Sequence, residues 1–286
     1  MDKNQNRKVS IFIPAYNAEK TIEQCITSVL NQSLKFDQII IVNDKSTDDT
    51  LNILKKFKDI KIINNTVNKG VSYSRNLGVK NCENEIIAGI DSDVELNKDW
   101  LKNILKKFLD SDAVYCCGNV VEKFTSNKFN YWRSLRYPLN WGSIDIKNPP
   151  YIITNNTLQY KKIWSDVGGF DENFKYPGGE DIIYSEKIYN KFKDKLFYFA
   201  DISSTHLADD NILSLSNRIW RYHSFGYKIK QPSLLRFIKL VIKQLKFLFI
   251  RIAKDIIKLR IYFIYINIMV FILFIKYEWS YTFSKK

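Results

Sequence analysis

A chain of 286 residues that is 45% hydrophobic can bury a full core and is too apolar to be disordered throughout. Its net charge of +14 does not mark a polyanion-binding body: residues 217–286 hold 15 Lys/Arg against 2 Asp/Glu, whereas residues 1–216 hold 29 against 28. The four cysteines (Cys25, Cys82, Cys116, Cys117) lack metal-ligand spacing and read as reduced, buried thiols, with the adjacent pair on opposite faces of a strand. The polar first eight residues and the short run Val9–Ile13 do not form a signal peptide, so a cytosolic location is expected.

Along the chain, Val9–Ile13 reads as a strand, and Glu19–Gln32 carries apolar residues at helical spacing. Ile39–Val42 is a second strand, after which Ser46-Thr47-Asp48-Asp49 looks like a helix start, with Leu51, Leu54 and Phe57 inward. Ile60–Ile63, a helix over Val71–Lys80 and the strand Ile86–Ile90 follow. Residues 98–109 predict an amphipathic helix and Ala113–Val121 a strand. Phe124–Tyr151 looks irregular and aromatic-rich, fitting either a binding lid or a packed surface excursion. Helices over Lys161–Val167 and Asp181–Phe192 and a strand over Leu196–Ala200 complete this part.

The alternation predicts an α/β fold whose mostly parallel sheet carries helices on both faces, with ligands at the carboxyl ends of the strands. Asp44 and the pair Asp91 and Asp93 fall at such ends. Two carboxylates one residue apart behind a buried strand suit a hard divalent cation that keeps positions open for phosphates. Arg75 offers planar donors to a phosphate or a base carbonyl, or is a surface cation on its helix. Asp44 can accept the ring N–H of a base such as uracil, or cap a helix beside Ser46 and Thr47. Glu180 and Asp181, after Gly178-Gly179, read as a carboxylate pair opening a helix, either an acidic cap or a general base.

Five ordered motifs resemble the inverting nucleotide-sugar glycosyltransferases of family 2, which have the GT-A (Rossmann-like) fold. They are Val9–Asn17 with Glu19, Ile41–Asp48, Asn68-Lys69-Gly70 with Ser74-Arg75-Asn76, Asp91-Ser92-Asp93, and Gly168–Glu172 with Gly179-Glu180-Asp181. The resemblance implies a UDP-sugar site of Pro14, Ala15, Tyr16, Asn17, Glu19, Asp44, Lys69, Gly70, Arg75, Asp91 and Ser92. It implies Mn²⁺ or Mg²⁺ held by Asp93, Asp91 and His206, with Asp91 on ribose or a metal-bound water. Asp181 would be the base, with Glu180 and Trp164 on the acceptor and Asn155-Asn156-Thr157 near the sugars. A helix N-terminus lowers a carboxyl pKa, so Asp181 is expected ionised. Lys45 replaces the usual glycine, and the backbone there is expected to avoid positive φ. Asn43 replaces a common Asp, and Asn155–Thr157 a Gly-Asn segment, which leaves the sugar open. A nucleotidyltransferase of related fold should show a glycine-rich basic loop where Pro14–Asn17 stand. A non-catalytic, membrane-associated scaffold that keeps the fold is the other rival.

The expected boundary lies at 216/217, before a membrane-associating tail. Within residues 233–260 the cations Arg236, Lys239, Lys243, Lys246, Arg251, Lys254 and Lys258 fall in a helical arc of about 140°. Leu, Ile and Phe fill the rest, which is the pattern of a helix lying on an anionic membrane. Ile261–Ile275 as a helix reaches about 22 Å, short of a hydrocarbon core of about 30 Å. An interfacial anchor on the cytoplasmic face of the membrane is therefore expected, with a glycan or lipid-linked acceptor. Nucleic-acid binding is not expected, because no base-stacking motif accompanies the charge. His223 is assigned no chemistry.

Overall fold

The computed structural model describes residues 7–174, 177–225 and 232–283. Alternation along β1 (Val9–Ala15) turns Ile11 and Ile13 to one face and Phe12 to the other. β1 pairs in parallel with β2 (Gln38–Asn43) and with β4 (Ile86–Ile90), and β2 pairs in parallel with β3 (Lys61–Asn64). On the Ile11 face pack α1 (Ile22–Leu30) and α4 (Trp100–Asp110), through Ile22, Ile26, Trp100 and Ile104. Val79 of α3 (Val71–Asn81) covers Phe12, Ile40 and Ile87 on the other face. The helix after β2 is short, α2 (Thr50–Leu54), and buries Thr50, Ile53 and Leu54.

The sheet runs β3-β2-β1-β4-β8-β6-β9-β5, with β7 (Ile146–Lys147) also on β9. β8 (Asn156–Tyr160) lies antiparallel between β4 and β6 (Tyr115–Glu122). β6 runs parallel to β9 (Leu196–His206), and β5 (Val94–Leu96) is antiparallel to it. The sheet is thus parallel around β1 and mixed beyond β4. Cys116 and Cys117 enter different clusters on its two faces, and burial pushes all four thiols above their ordinary range. α6 (Lys161–Asp166) and α7 (Glu180–Phe192) also belong to this part.

β9 corrects the expectation of a strand ending at Ala200. Its pairing with β6 jumps from Gly118↔Phe199 to Asn119↔Ser203, so residues 200–202 bulge and the strand resumes through His206. Gly118 permits the bulge, because a Cβ there would sit 2.3 Å from the Ile202 carbonyl oxygen. The bulge keeps the polar residues Asp201, Ser203 and Ser204 in the sheet beyond the expected end of the strand.

The chain divides into two compact units, one of Met1–Lys123, Leu139–Lys175 and Glu180–Ala208, the other of Phe124–Pro138, Tyr176–Gly179 and Asp209–Lys286. The expected boundary at 216/217 falls inside α8 (Ile212–Phe225) of the second unit. The segment read as irregular contributes α5 (Lys128–Arg136), capped by Asn127, whose side chain accepts from Phe129 N at 2.8 Å. Its aromatics are packing residues: Trp132 is buried with Leu215, Phe263 and Val270 and donates to Asn267 at 2.9 Å.

The tail forms two long helices, α9 (Leu234–Ile257) and α10 (Ile261–Phe283). α10 has 23 residues rather than the expected 15, or about 35 Å. The basic arc of α9 is not uniformly outward. Arg236 turns inward to the fully buried Glu278, which also accepts from Trp220 Nε1 at 2.9 Å and Ser224 Oγ at 2.6 Å. Arg251 reaches the Tyr137 hydroxyl. The buried Asp255 pairs with Arg136 and accepts from Asn267 at 2.8 Å. Charges removed from water demand such partners, which draws part of the arc inside.

Candidate active site

The turn Asp91-Ser92-Asp93 leaves β4 in the middle of the sheet and enters β5 at its edge, closed by Val94 N donating to Asp91 O at 3.1 Å. Pairing of Val94 with His206 brings Asp93 Oδ2 to 3.2 Å from His206 Nε2. On the other side of the ring, Nδ1 lies 3.0 Å from Glu122 Oε2. Glu122 is the residue that β6 registers opposite His206. Asp93, His206 and Glu122 therefore form a line, with the imidazole buried between two carboxylates.

Arg75 lies between two carboxylates. Its guanidinium is buried and forked between Asp91 Oδ1 at 2.8 Å and Glu180 Oε1 at 2.6 Å. Burial works against its charge, but Asp91 and Glu180 outweigh burial and hold the pKa raised. Its donors thus tie the Asp91-Ser92-Asp93 turn to the first residue of α7. Glu180 is buried and faces Arg75, so it braces this tie rather than standing open to an acceptor.

Asp181 corrects the expectation of an ordinary ionised cap. Burial pushes its carboxyl up to about 7, the neighbouring Glu180 adds to the rise, and Arg75 and the Ile182 N–H at 2.9 Å pull the other way. Loss of hydration outweighs the pull of the helix N-terminus here. Asp91 is likewise raised by its recessed position and by Asp93, with Arg75 opposing.

Asp44, at the end of β2, accepts from Asn65 Nδ2 at 2.6 Å, Lys69 N at 2.9 Å and Gly70 N at 2.7 Å. It clamps the 65–70 loop rather than capping a helix beside Ser46. Gly70 has φ of 92°, which that clamp requires and glycine adopts without strain. Asn17 Oδ1 accepts from Thr47 N at 2.8 Å and Glu19 Oε2 from Asp49 N at 3.1 Å, so both side chains lace two loops together. Pro14 and Ala15 end β1, while Tyr16 is half exposed and Lys69 lies over the Tyr73 ring. Lys45 has φ of 60°, contrary to expectation. The bonds Asp44 N to Ala15 O at 2.8 Å and Asn17 N to Ser46 Oγ at 3.0 Å pin the loop on both sides of it.

Trp164 is partly buried and bonded to α3. Its indole N–H donates to Asn76 Oδ1 at 2.8 Å, and Asn76 in turn holds the Phe170 backbone and Glu172. Asn156 and Thr157 bond to neighbouring strands, through Gly118 N at 2.7 Å and Gly89 O at 3.1 Å. Asn155 differs: its carboxamide oxygen is buried without a hydrogen-bond partner, and its carbonyl accepts from Asp91 N at 3.3 Å.

A family profile described as Glycosyl transferase family 2 matches residues 10–171, more than half of the chain. The chain belongs to glycosyl transferase family 2. Family relatives include the glycosyltransferase GlyA of Streptococcus pneumoniae, 23% identical over 80% of this chain. The minor teichoic acid biosynthesis protein GgaB of Bacillus subtilis is 31% identical over 78%. The chain spans only 32% and 26% of the lengths of these two proteins. Solved structures of S. aureus TarS 1–349 share the fold: the UDP complex has a TM-score of 0.57 at 21% identity, covering 74% of this chain and 63% of that one. The UDP-GlcNAc complex has a TM-score of 0.58 at 19% identity, covering 75% and 67%.

For this family 2 chain the sequence reading missed Glu122, Asn65 and Asn76. Glu122 carries no local signal, because its meeting with His206 is made by strand register between residues 84 positions apart. Asn76 was quoted within the third motif but given no part; its clamp on Phe170 spans 94 positions.

Proposed function

We propose that the chain transfers one sugar from a UDP-sugar to a glycan or lipid-linked hydroxyl acceptor, with inversion at the anomeric carbon. The observation that carries this reading is Asp181, a single carboxyl raised to about 7 and tied through Glu180 and Arg75 to the Asp91–Asp93 turn. A general base works best with a pKa near the working pH, and one base facing a departing diphosphate gives a single displacement and therefore inversion. Asp181 takes the acceptor proton. Arg75 keeps Asp91 and the α7 turn in fixed relation. Tyr16 offers an exposed ring to a base. That TarS was solved with UDP and with UDP-GlcNAc supports a uridine donor.

The donor set fits Mn²⁺ or Mg²⁺. Asp93 and His206 present an oxygen and a nitrogen 3.2 Å apart, and Glu122 braces the far ring nitrogen, the usual outer-shell arrangement for a ligating histidine. Among the described residues no group of three His, Cys, Asp or Glu side chains gathers around a cation, so these two side chains would hold the ion together with oxygens of the bound diphosphate. When bound, the ion would neutralise charge on the leaving diphosphate.

The test is a panel of UDP-sugars with hydroxyl acceptors, assayed with Mn²⁺ and with chelator, and the product anomer read by NMR. Asp181→Asn should lose transfer by about 10²-fold or more while keeping UDP binding. Full activity in that variant, or a retained anomer, would refute the proposal.

A further inference from the structure

In α9 the expected relation of face to environment is reversed: Arg236, Gln244 and Asp255 are its buried residues, while most of its leucines and isoleucines are exposed. Leu235, Ile238, Ile242, Leu245 and Phe249 are all exposed, with Ile242 at 62% and Phe249 at 65%. At helical spacing they form one stripe about 80° wide. α10 is apolar on both sides: Tyr265, Ile268, Ile272 and Trp279 are exposed, while Phe263, Ile266, Val270 and Phe274 are buried together with Asn267 and Glu278. A helix pair that buries its charged and amide groups while leaving this much apolar surface outward departs from the plan of a soluble surface helix, and an apolar surface of this extent marks an interaction site.

We propose that the α9 stripe, continued by that of α10, seats the helical unit on an anionic lipid bilayer. Charge selects lipid over a second copy of the chain. Lys239, Lys243 and Lys246 are exposed and border the stripe along one side, where they would meet anionic headgroups as the apolar residues enter the acyl boundary. In an antiparallel self-pairing of α9 the same lysines would face their own copies, and like charges in contact oppose association. Tyr265 and Trp279 suit the headgroup level. By length and composition α10 could cross a membrane. The seam of Arg236, Glu278, Asp255 and Asn267 instead keeps the two helices paired along the surface. This inference stands apart from the sugar-transfer reading, since it uses none of its residues.

The test is co-sedimentation of the full chain with phosphatidylglycerol vesicles and with phosphatidylcholine vesicles. The wild type should pellet with the anionic vesicles. Ile242→Glu/Phe249→Glu should weaken that partitioning at least tenfold with an unchanged melting temperature, because both side chains already face water. Lys239→Gln/Lys243→Gln/Lys246→Gln should bring anionic binding down to the level of the neutral vesicles. A wild type that pellets with neither vesicle would overturn the proposal, as would a double variant that binds like the wild type. So would a concentration-dependent dimer, seen by light scattering, that Ile242→Glu dissolves while vesicle binding is absent.

Discussion

Arg75→Met removes the guanidinium that joins Asp91 to Glu180 and takes the cation away from the buried Glu180. The Arg75–Glu180 pair is 4% and 5% exposed, and stranding such a buried charge costs about 3–5 kcal/mol. The Asp91 side is 33% exposed, so solvent screening reduces that half to about 1 kcal/mol or less. A total loss near 4 kcal/mol would lower the melting temperature of a domain of this size by about 10 °C. Arg75→Met/Glu180→Leu should recover most of the loss, because an apolar pair can replace a buried ion pair at little cost. The same contacts set the base. Arg75 lowers the Asp181 pKa and Glu180 raises it. The acid limb of kcat/KM should therefore move above about 7 in Arg75→Met and below it in Glu180→Gln. A pH–rate series with one donor and one acceptor measures both. Limbs that stay in place, or that move in the same direction, would refute the assignment of Arg75 as the tie between donor turn and base.

Glu122→Ala should weaken Mn²⁺ binding in the presence of UDP by about 10–100-fold, read by Mn²⁺ electron paramagnetic resonance, with UDP binding in chelator unchanged. Equal Mn²⁺ affinity would show that His206 needs no brace. Lys45→Gly should stabilise the protein by about 1 kcal/mol in urea titration, since an L side chain at φ of 60° is strained where glycine is not. Gly118→Ala should destabilise by about 1–3 kcal/mol and lower Mn²⁺ affinity as well, because the bulge it disturbs precedes the His206 pairing.

The parallel half of the fold was legible because it is written locally. Val9–Ile13, Ile39–Val42 and Ile86–Ile90 are buried runs separated by amphipathic helices, and a parallel sheet follows from that order. Asp44, Asp91 and Asp93 at strand ends followed by the same logic. What sequence did not display depends on register and burial. The strand read as ending at Ala200 continues through Asp201, Ser203 and Ser204, whose polarity is visible in sequence while the bulge that accommodates them is not. Lys45 in the left-handed region is imposed by bonds from the 14–17 loop. The aromatic segment 124–151 held a helix whose apolar partners lie more than 80 positions further on. Arg236 and Arg251 belonged to a clean basic arc until Glu278 and the Tyr137 hydroxyl supplied partners inside. In each case the deciding contact is distant in sequence, and local pattern carries no information about it.

Asp181 shows the opposition between stability and chemistry most directly. Folding raises its carboxyl from 3.8 to about 7, so the folded state binds this proton more tightly than the unfolded chain does. The associated stability is fully present below pH 3.8 and is lost as pH rises through about 7. Three pKa units at about 1.4 kcal/mol each bound the effect near 4 kcal/mol, and partial exposure of the side chain reduces it to about 1–2 kcal/mol. Asp181→Asn carries no such proton. It should therefore be more stable than the wild type at pH 8 by about 1–2 kcal/mol, and the advantage should vanish near pH 4. Urea denaturation at the two pH values measures the difference. A variant that is destabilised at pH 8, or offset equally at both, would mean that the carboxyl is not held in the strained, proton-retaining state that a base working near neutrality requires.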